Sequence, residues 1–272
     1  MSIHAVNNRR LTMLDLQRAT DAGEKWAMLT AYDALTAGLF ESAGVPAILV
    51  GDSAAMVVHG HDSTIPITVA EMLPLVQGVV RGTKRAVVIA DLPFGSYQLS
   101  PAQALESAAA FMKEGGAQAV KLEGGAAVLP QVEALASAGI PVVGHVGLTP
   151  QSVNLLGGYR VQGRGESGEM LVRDAKAMEA AGATALVLEV VPAELAARVS
   201  EILTIPTIGI GAGANTDAQV LVWQDLLGLT PDPTPRFVRR YANLRDIMSD
   251  AVGAWVRDVE SGSYPGPEHE YH

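Results

Sequence analysis

The feature that most constrains this chain is a repeated one: short apolar runs that each end in an ionisable side chain. "AILVGD" (47–52) ends in Asp52, "AVVIAD" (86–91) in Asp91, "AVKLEG" (119–124) carries Lys121 and Glu123, "PVVGHV" (141–146) carries His145, and "ALVLEV" (185–190) carries Glu189. With "AMLTAY" (27–32), "PTIGIG" (206–211) and "VLVWQD" (220–225) they make eight candidate strands, the last of which reads equally well as helix. Most are apolar at successive positions, as parallel strands covered on both faces must be.

Alanine-rich segments with helical spacing lie between them: 33–44, 100–116, 125–139, 168–182 and 191–203. Ser100 reads as an N-cap with Pro101 at the first helical position. Three strands begin at or just after "GVP", "GIP" or "TIP" (44–46, 139–141, 204–206). Eight βα units in 272 residues predict an α/β fold, a single-domain (β/α)8 TIM barrel over residues 1–260 with a flexible tail at 261–272. A doubly wound open sheet is the alternative. Two long connections, 53–72 and 147–167, are expected to shape a site.

Bulk properties narrow the function. A net charge of −10 with scattered Lys and Arg excludes a nucleic-acid stripe. The absence of cysteine excludes disulfides, thiolate metal sites and Cys nucleophiles. No signal-peptide core or membrane-length apolar run is present, so a soluble cytoplasmic protein is expected.

In a barrel all strand C-termini open on one face. Asp52, Asp91, Glu123, His145 and Glu189 should therefore meet in one cleft. A single acid at a strand end is ordinarily just where the chain reaches solvent; repetition at equivalent positions is what carries weight. Carboxylates so close repel, and a cation among them resolves the conflict. Oxygen-only ligation suits Mg²⁺, which leaves coordination positions free for a chelating substrate. Lys121, two residues before Glu123 and on the same strand face, can hold a substrate carboxylate or an enolate. His145 reads equally as a hydrogen-bonded barrel histidine. His59 and His61 in "HGHD" read as loop residues, Asp225 as helix-capping or structural, and the tryptophans and methionines as packing. "GIGAG" (209–213) is a weak phosphate-cradle signal, with a tight turn as the plainer account.

The longer motifs "LTAYDALTAGLFESAGVPAILVGDSAAMVVHGHDSTIPIT", "ADLPFGSY", "AVKLEGG", "VGHVGLTPQSVNLLGGYRVQGR", "LVLEVVPAELA" and "IPTIGIGAGANTDAQVLVWQDLLGL" closely resemble the ketopantoate hydroxymethyltransferase family, in order from about residue 10 to 260. The resemblance implies a (β/α)8 barrel, Mg²⁺, and transfer of a hydroxymethyl group from 5,10-methylenetetrahydrofolate to 3-methyl-2-oxobutanoate in pantothenate biosynthesis. It implies Asp52, Asp91 and Glu123 at the metal, Asp52, Ser53, Asp91 and Lys121 at the oxo acid, Glu189 as proton acceptor and His145 beside the product. It also implies a homo-oligomer built on pentameric rings, a decamer. The competing enzyme class is a Mg²⁺-dependent 2-oxo acid lyase or mutase of the isocitrate lyase/phosphoenolpyruvate mutase group, whose isocitrate lyases use a cysteine acid that this chain lacks. A non-catalytic binding barrel would have no need of the whole acid cluster.

Overall fold

Eight parallel strands close on themselves in sequence order, β1 Trp26–Thr30, β2 Ala47–Val50, β3 Val87–Asp91, β4 Ala119–Glu123, β5 Val142–Gly147, β6 Ala185–Glu189, β7 Thr207–Ile210 and β8 Ala218–Leu221. The computed structural model describes residue 3 and residues 9–272. Residues 1, 2 and 4–8, part of the segment read as lacking a signal-peptide core, lie outside the described residues. Pairing of β1 with β8 (Trp26 with Ala218, Met28 with Val220) excludes the open-sheet alternative.

Two compact units make up the chain, residues 1–222 and 223–272. The first holds the barrel. Its helices are α1 Met13–Asp21, α2 Ala34–Ser42, α3 Ala54–Val57, α4 Val69–Gly82, α5 Pro101–Lys113, α6 Leu129–Ser137, α7 Val153–Leu156, α8 Glu166–Ala180 and α9 Ala193–Ile202. The second holds α10 Trp223–Leu226 and α11 Leu244–Ser261, so the expected boundary at 260 falls at the end of α11. Among the described residues, no helix is long and apolar enough to cross a membrane.

Sequence explains most of these boundaries. Ser100 caps α5, its hydroxyl accepting the Gln103 N–H at 3.2 Å, and Pro101 opens the helix where no N–H partner is needed. Five helices fall outside the sequence-based expectations: α1, α4 and α11, and the short α3 and α7 within the two long connections. For α4 the signal was present. Thr68 and Glu71 form a reciprocal capping box, with Glu71 N–H on Thr68 Oγ1 at 3.2 Å and Thr68 N–H on Glu71 Oε2 at 2.8 Å. The connection after β2 is accordingly shorter than expected, ending at Thr68. "VLVWQD" divides: its first residues finish β8, and Trp223 begins α10. Between β7 and β8 residues 211–217 carry no helix.

Alternation along the strands decides what enters the barrel. The core comprises Ala47 and Leu49, Val87 and Ile89, Ala119, Val143, Ala185 and Val187, Ile208, and Ala218 and Val220. Leu16 and Ala19 of α1, together with Met13, Met28 and Trp26, belong to the same cluster. Each fully buried Val, Ile or Leu stabilises by roughly 1.5–3 kcal/mol. Trp26 thus packs as expected, whereas Trp255 on α11 is 54% exposed. Continuing each inward-facing row by two residues gives Asp91, Lys121 then Glu123, His145, and Glu189. The apolar core and the ionisable cluster are successive layers of the same rows.

Candidate active site

Strand register places the ionisable groups beside one another. Asp91 and Lys121 are partners across β3 and β4, and Glu123 and His145 across β4 and β5. The Lys121 ammonium reaches both Asp91 oxygens, at 2.7 and 2.8 Å, and lies 3.6 Å from Glu123 Oε1. His145 stands between two acids, Nδ1 3.5 Å from Glu123 Oε1 and Nε2 3.2 Å from Glu189 Oε2. These are close charge contacts without hydrogen-bond alignment. Asp91, Lys121, Glu123, His145 and Asp52 are all buried, and the Glu189 side chain retains 16% exposure.

Asp52 arrives differently. It lies two residues beyond β2, in the turn before α3, with its N–H on Asp91 Oδ2 at 3.3 Å. Its carboxylate is held by a residue the sequence reading did not single out, Gln151. The Gln151 amide donates to Asp52 Oδ2 at 2.9 Å and to Leu92 O at 3.0 Å, while its backbone N–H donates to Glu123 Oε2 at 3.0 Å. Tyr97, also not singled out, places its hydroxyl 2.8 Å from Gln151 Oε1 and 2.9 Å from Glu123 O. The signal for both was weak: a glutamine after Pro150 and a tyrosine in "ADLPFGSY" carry no charge at neutral pH to betray them. Ser53 Oγ pairs with Tyr32 OH at 2.8 Å at the start of α3.

Electrostatics follow from this crowding. Burial pushes the Asp52 carboxyl well above its ordinary value, and the Asp91 and Glu123 charges push it further. Burial also raises Asp91, against the pull of Lys121. Burial would raise Glu123, but Lys121, His145 and the Gln151 N–H together hold it low. Burial would lower Lys121; Asp91, Glu123 and Asp52 outweigh it and keep the ammonium protonated. For His145, burial and Lys121 act downward, yet its contacts with Glu123 and Glu189 raise it to about 9.

The donor set fits a hard cation. Three buried carboxyl groups, Asp52, Asp91 and Glu123, lie in one cluster, and the mutual repulsion that pushes Asp52 up is what a bound cation would relieve. Among the described residues no three acidic or histidine side chains are preassembled around one point as metal ligands. Asp91 is engaged by Lys121, and Glu123 is turned to Lys121, His145 and the Gln151 N–H.

The other candidates lie elsewhere. His59 and His61 are exposed and stack on each other at 6.3 Å, near Glu71 at the start of α4. Asp225 is in the first turn of α10. In "GIGAG", a Cβ on Gly209 would lie 2.6 Å from Thr216 Oγ1, so close approach by the chain itself accounts for that glycine.

A cluster of this kind on a barrel is compatible with more than one chemistry, and comparison with known proteins decides the family. The ketopantoate hydroxymethyltransferase family model matches residues 10–267. The chain belongs to the ketopantoate hydroxymethyltransferase family. It is 63% identical over 262 residues to the 3-methyl-2-oxobutanoate hydroxymethyltransferase of Frankia casuarinae, covering 96% of this chain and 88% of that one. It is 62% identical to the protein of the same name from Thermobifida fusca, with 97% and 94% covered. Identity is 55% to that of Acidothermus cellulolyticus, over the full length of both. The protein is thus an enzyme of the hydroxymethyltransferase class. Among solved structures, a phosphonopyruvate hydrolase complexed with oxalate and Mg²⁺ superposes with TM-score 0.62 at 14% identity, covering 95% of this chain and 93% of that one. A 2,3-dimethylmalate lyase of the PEP mutase/isocitrate lyase superfamily gives 0.60 at 18%, with 96% and 92% covered. At such identities the likeness is one of fold.

Proposed function

We propose that this site transfers a hydroxymethyl group from 5,10-methylenetetrahydrofolate to C3 of 3-methyl-2-oxobutanoate, giving ketopantoate for pantothenate biosynthesis. The observation that carries the proposal is the pairing of a buried three-carboxyl cluster with a separate acid, Glu189, within a chain of this family. Asp52, Asp91 and Glu123 are the residues that would hold Mg²⁺. Bound there, Mg²⁺ supplies Lewis-acid polarisation of a chelated 2-oxo acid.

The chain's own groups do the rest. Ser53 and Lys121 orient the oxo-acid carboxylate, with Ser53 fixed by Tyr32. Glu189 accepts the C3 proton as general base. Lys121, permanently cationic, offsets the charge that then spreads from C3 to the keto oxygen. His145, between Glu123 and Glu189, steadies both carboxylates and stands beside the new hydroxymethyl group. Water hydrolyses the folate's methylene carbon to formaldehyde, breaking both C–N bonds and releasing tetrahydrofolate. Carbanionic C3 adds to that carbonyl, and the resulting alkoxide takes back the proton held by Glu189. No protein nucleophile is needed, consistent with a chain without cysteine. Residues 1–260 form the catalytic part, and the protein works in the cytoplasm as a homo-oligomer, a decamer.

The test is isotopic. Protein incubated with Mg²⁺, 3-methyl-2-oxobutanoate and folate labelled at its methylene carbon should place the label in a CH₂OH group on C3. Cleavage or rearrangement of the oxo acid without uptake of label would replace the proposal with the lyase or mutase alternative.

A further inference from the structure

The backbone turns abruptly where β6 ends. Val190, directly after Glu189, has φ +48° and is the only non-glycine residue with positive φ among those described. A β-branched residue is poorly suited to that region, because its Cβ crowds the following carbonyl. Its neighbours hold it there. The Val190 N–H donates to Ile210 O at the end of β7 at 2.8 Å, and Val190 O accepts the Gln162 N–H, from the loop before α8, at 3.0 Å. Glu189 O accepts the Leu148 N–H, just past β5, at 2.8 Å. Gly147 lets β5 press close: a Cβ there would lie 2.3 Å from Glu189 O and 2.8 Å from Val191 Cγ1. Three segments therefore over-determine one strained conformation.

We propose that Val190 is a positioning residue for Glu189: its left-handed backbone, locked by the ends of β5 and β7 and by the loop before α8, fixes the direction of the Glu189 carboxylate. This rests on Glu189 being the base. The carboxylate meets His145 Nε2 at 3.2 Å, and the backbone at Val190 sets the direction from which it arrives. Valine suits the task because a β-branched residue forced into the left-handed well has little room within it. Glycine moves freely through both signs of φ. Reacting groups displaced by about 1 Å lose on the order of 10²-fold in rate.

The experiment follows exchange of the C3 proton of 3-methyl-2-oxobutanoate in D₂O, with Mg²⁺ and without folate, alongside oxo-acid affinity and Tm. Val190→Gly should slow exchange by about 10-fold or more while affinity and Tm hold. Val190→Asn, whose short polar side chain tolerates the left-handed region, should keep exchange within about threefold of wild type. Wild-type exchange in Val190→Gly overturns the proposal. So does equal loss in both variants, or loss accompanied by lowered Tm and affinity, since either makes the valine side chain a packing element. Glu189→Gln run in parallel separates the two claims: if it exchanges at the wild-type rate, the assignment of the base has failed, whatever Val190 does.

Discussion

Lys121 sets the charge balance of the cluster, since its ammonium contacts Asp91 bidentately and Glu123 at longer range. Lys121→Ala should lower kcat/KM by on the order of 10²-fold or more, the usual result of losing a preorganised electrostatic donor. Arg should rescue poorly, because a planar fork does not replace a compact charge. Steady-state kinetics per folded molecule check this, and wild-type values would make the lysine structural. Folding should suffer as well, by about 3–5 kcal/mol, because Asp91 is left buried without its partner. His145 gives a prediction in pH. Its folded value of about 9 lies above the ordinary 6.5 of histidine. Its contribution to stability is therefore complete below about pH 6.5 and is lost as pH rises through about 9, by a few kcal/mol. Denaturant unfolding of metal-free protein at pH 6 and pH 9.5 should show this loss in wild type and not in His145→Gln. Identical pH profiles for the two proteins would contradict it.

At the scale of elements, α4 offers the cleanest test. Thr68→Ala removes one half of its capping box and should cost about 1 kcal/mol, seen as a lower denaturant midpoint at unchanged slope. No change would mean that the Thr68 hydroxyl does not cap the helix. The same box bears on how much of the fold is legible in the sequence. The strands were legible because continuous burial on both faces leaves unbroken apolar runs such as "AVVIAD". α5 was legible from Ser100 and Pro101. Thr68 and Glu71 are an equally local signal for α4, but Pro74 within the helix weakens its periodicity. The turn at 222–223 was ambiguous because β8 passes into α10 almost without punctuation. In the site, the ionisable residues were legible from their positions at strand ends. Gln151 and Tyr97 were not, because neutral amides and hydroxyls become significant only once folding brings them against Asp52 and Glu123. The strain at Val190 likewise has no sequence signature; "ALVLEV" reads as an uninterrupted strand through that residue.

For the molecule as a whole, closure of the barrel explains why acids distributed from residue 52 to residue 189 lie together. Period-two alternation carries each inward row from apolar core to ionisable rim, and register sets Asp91 beside Lys121 and Glu123 beside His145. Glu189 rises from β6, separated from β3 by β4 and β5, and contacts the cluster through His145. The central claim is this division of labour: Asp52, Asp91 and Glu123 serve the cation, and Glu189 serves the proton. The most direct measurement combines C3 proton exchange of 3-methyl-2-oxobutanoate in D₂O with Mg²⁺ titration, for wild type and Glu189→Gln. The account predicts exchange slowed by ~10²–10⁴-fold in the variant, with Mg²⁺ affinity nearly unchanged. Exchange at the wild-type rate, or collapse of Mg²⁺ binding, would contradict it.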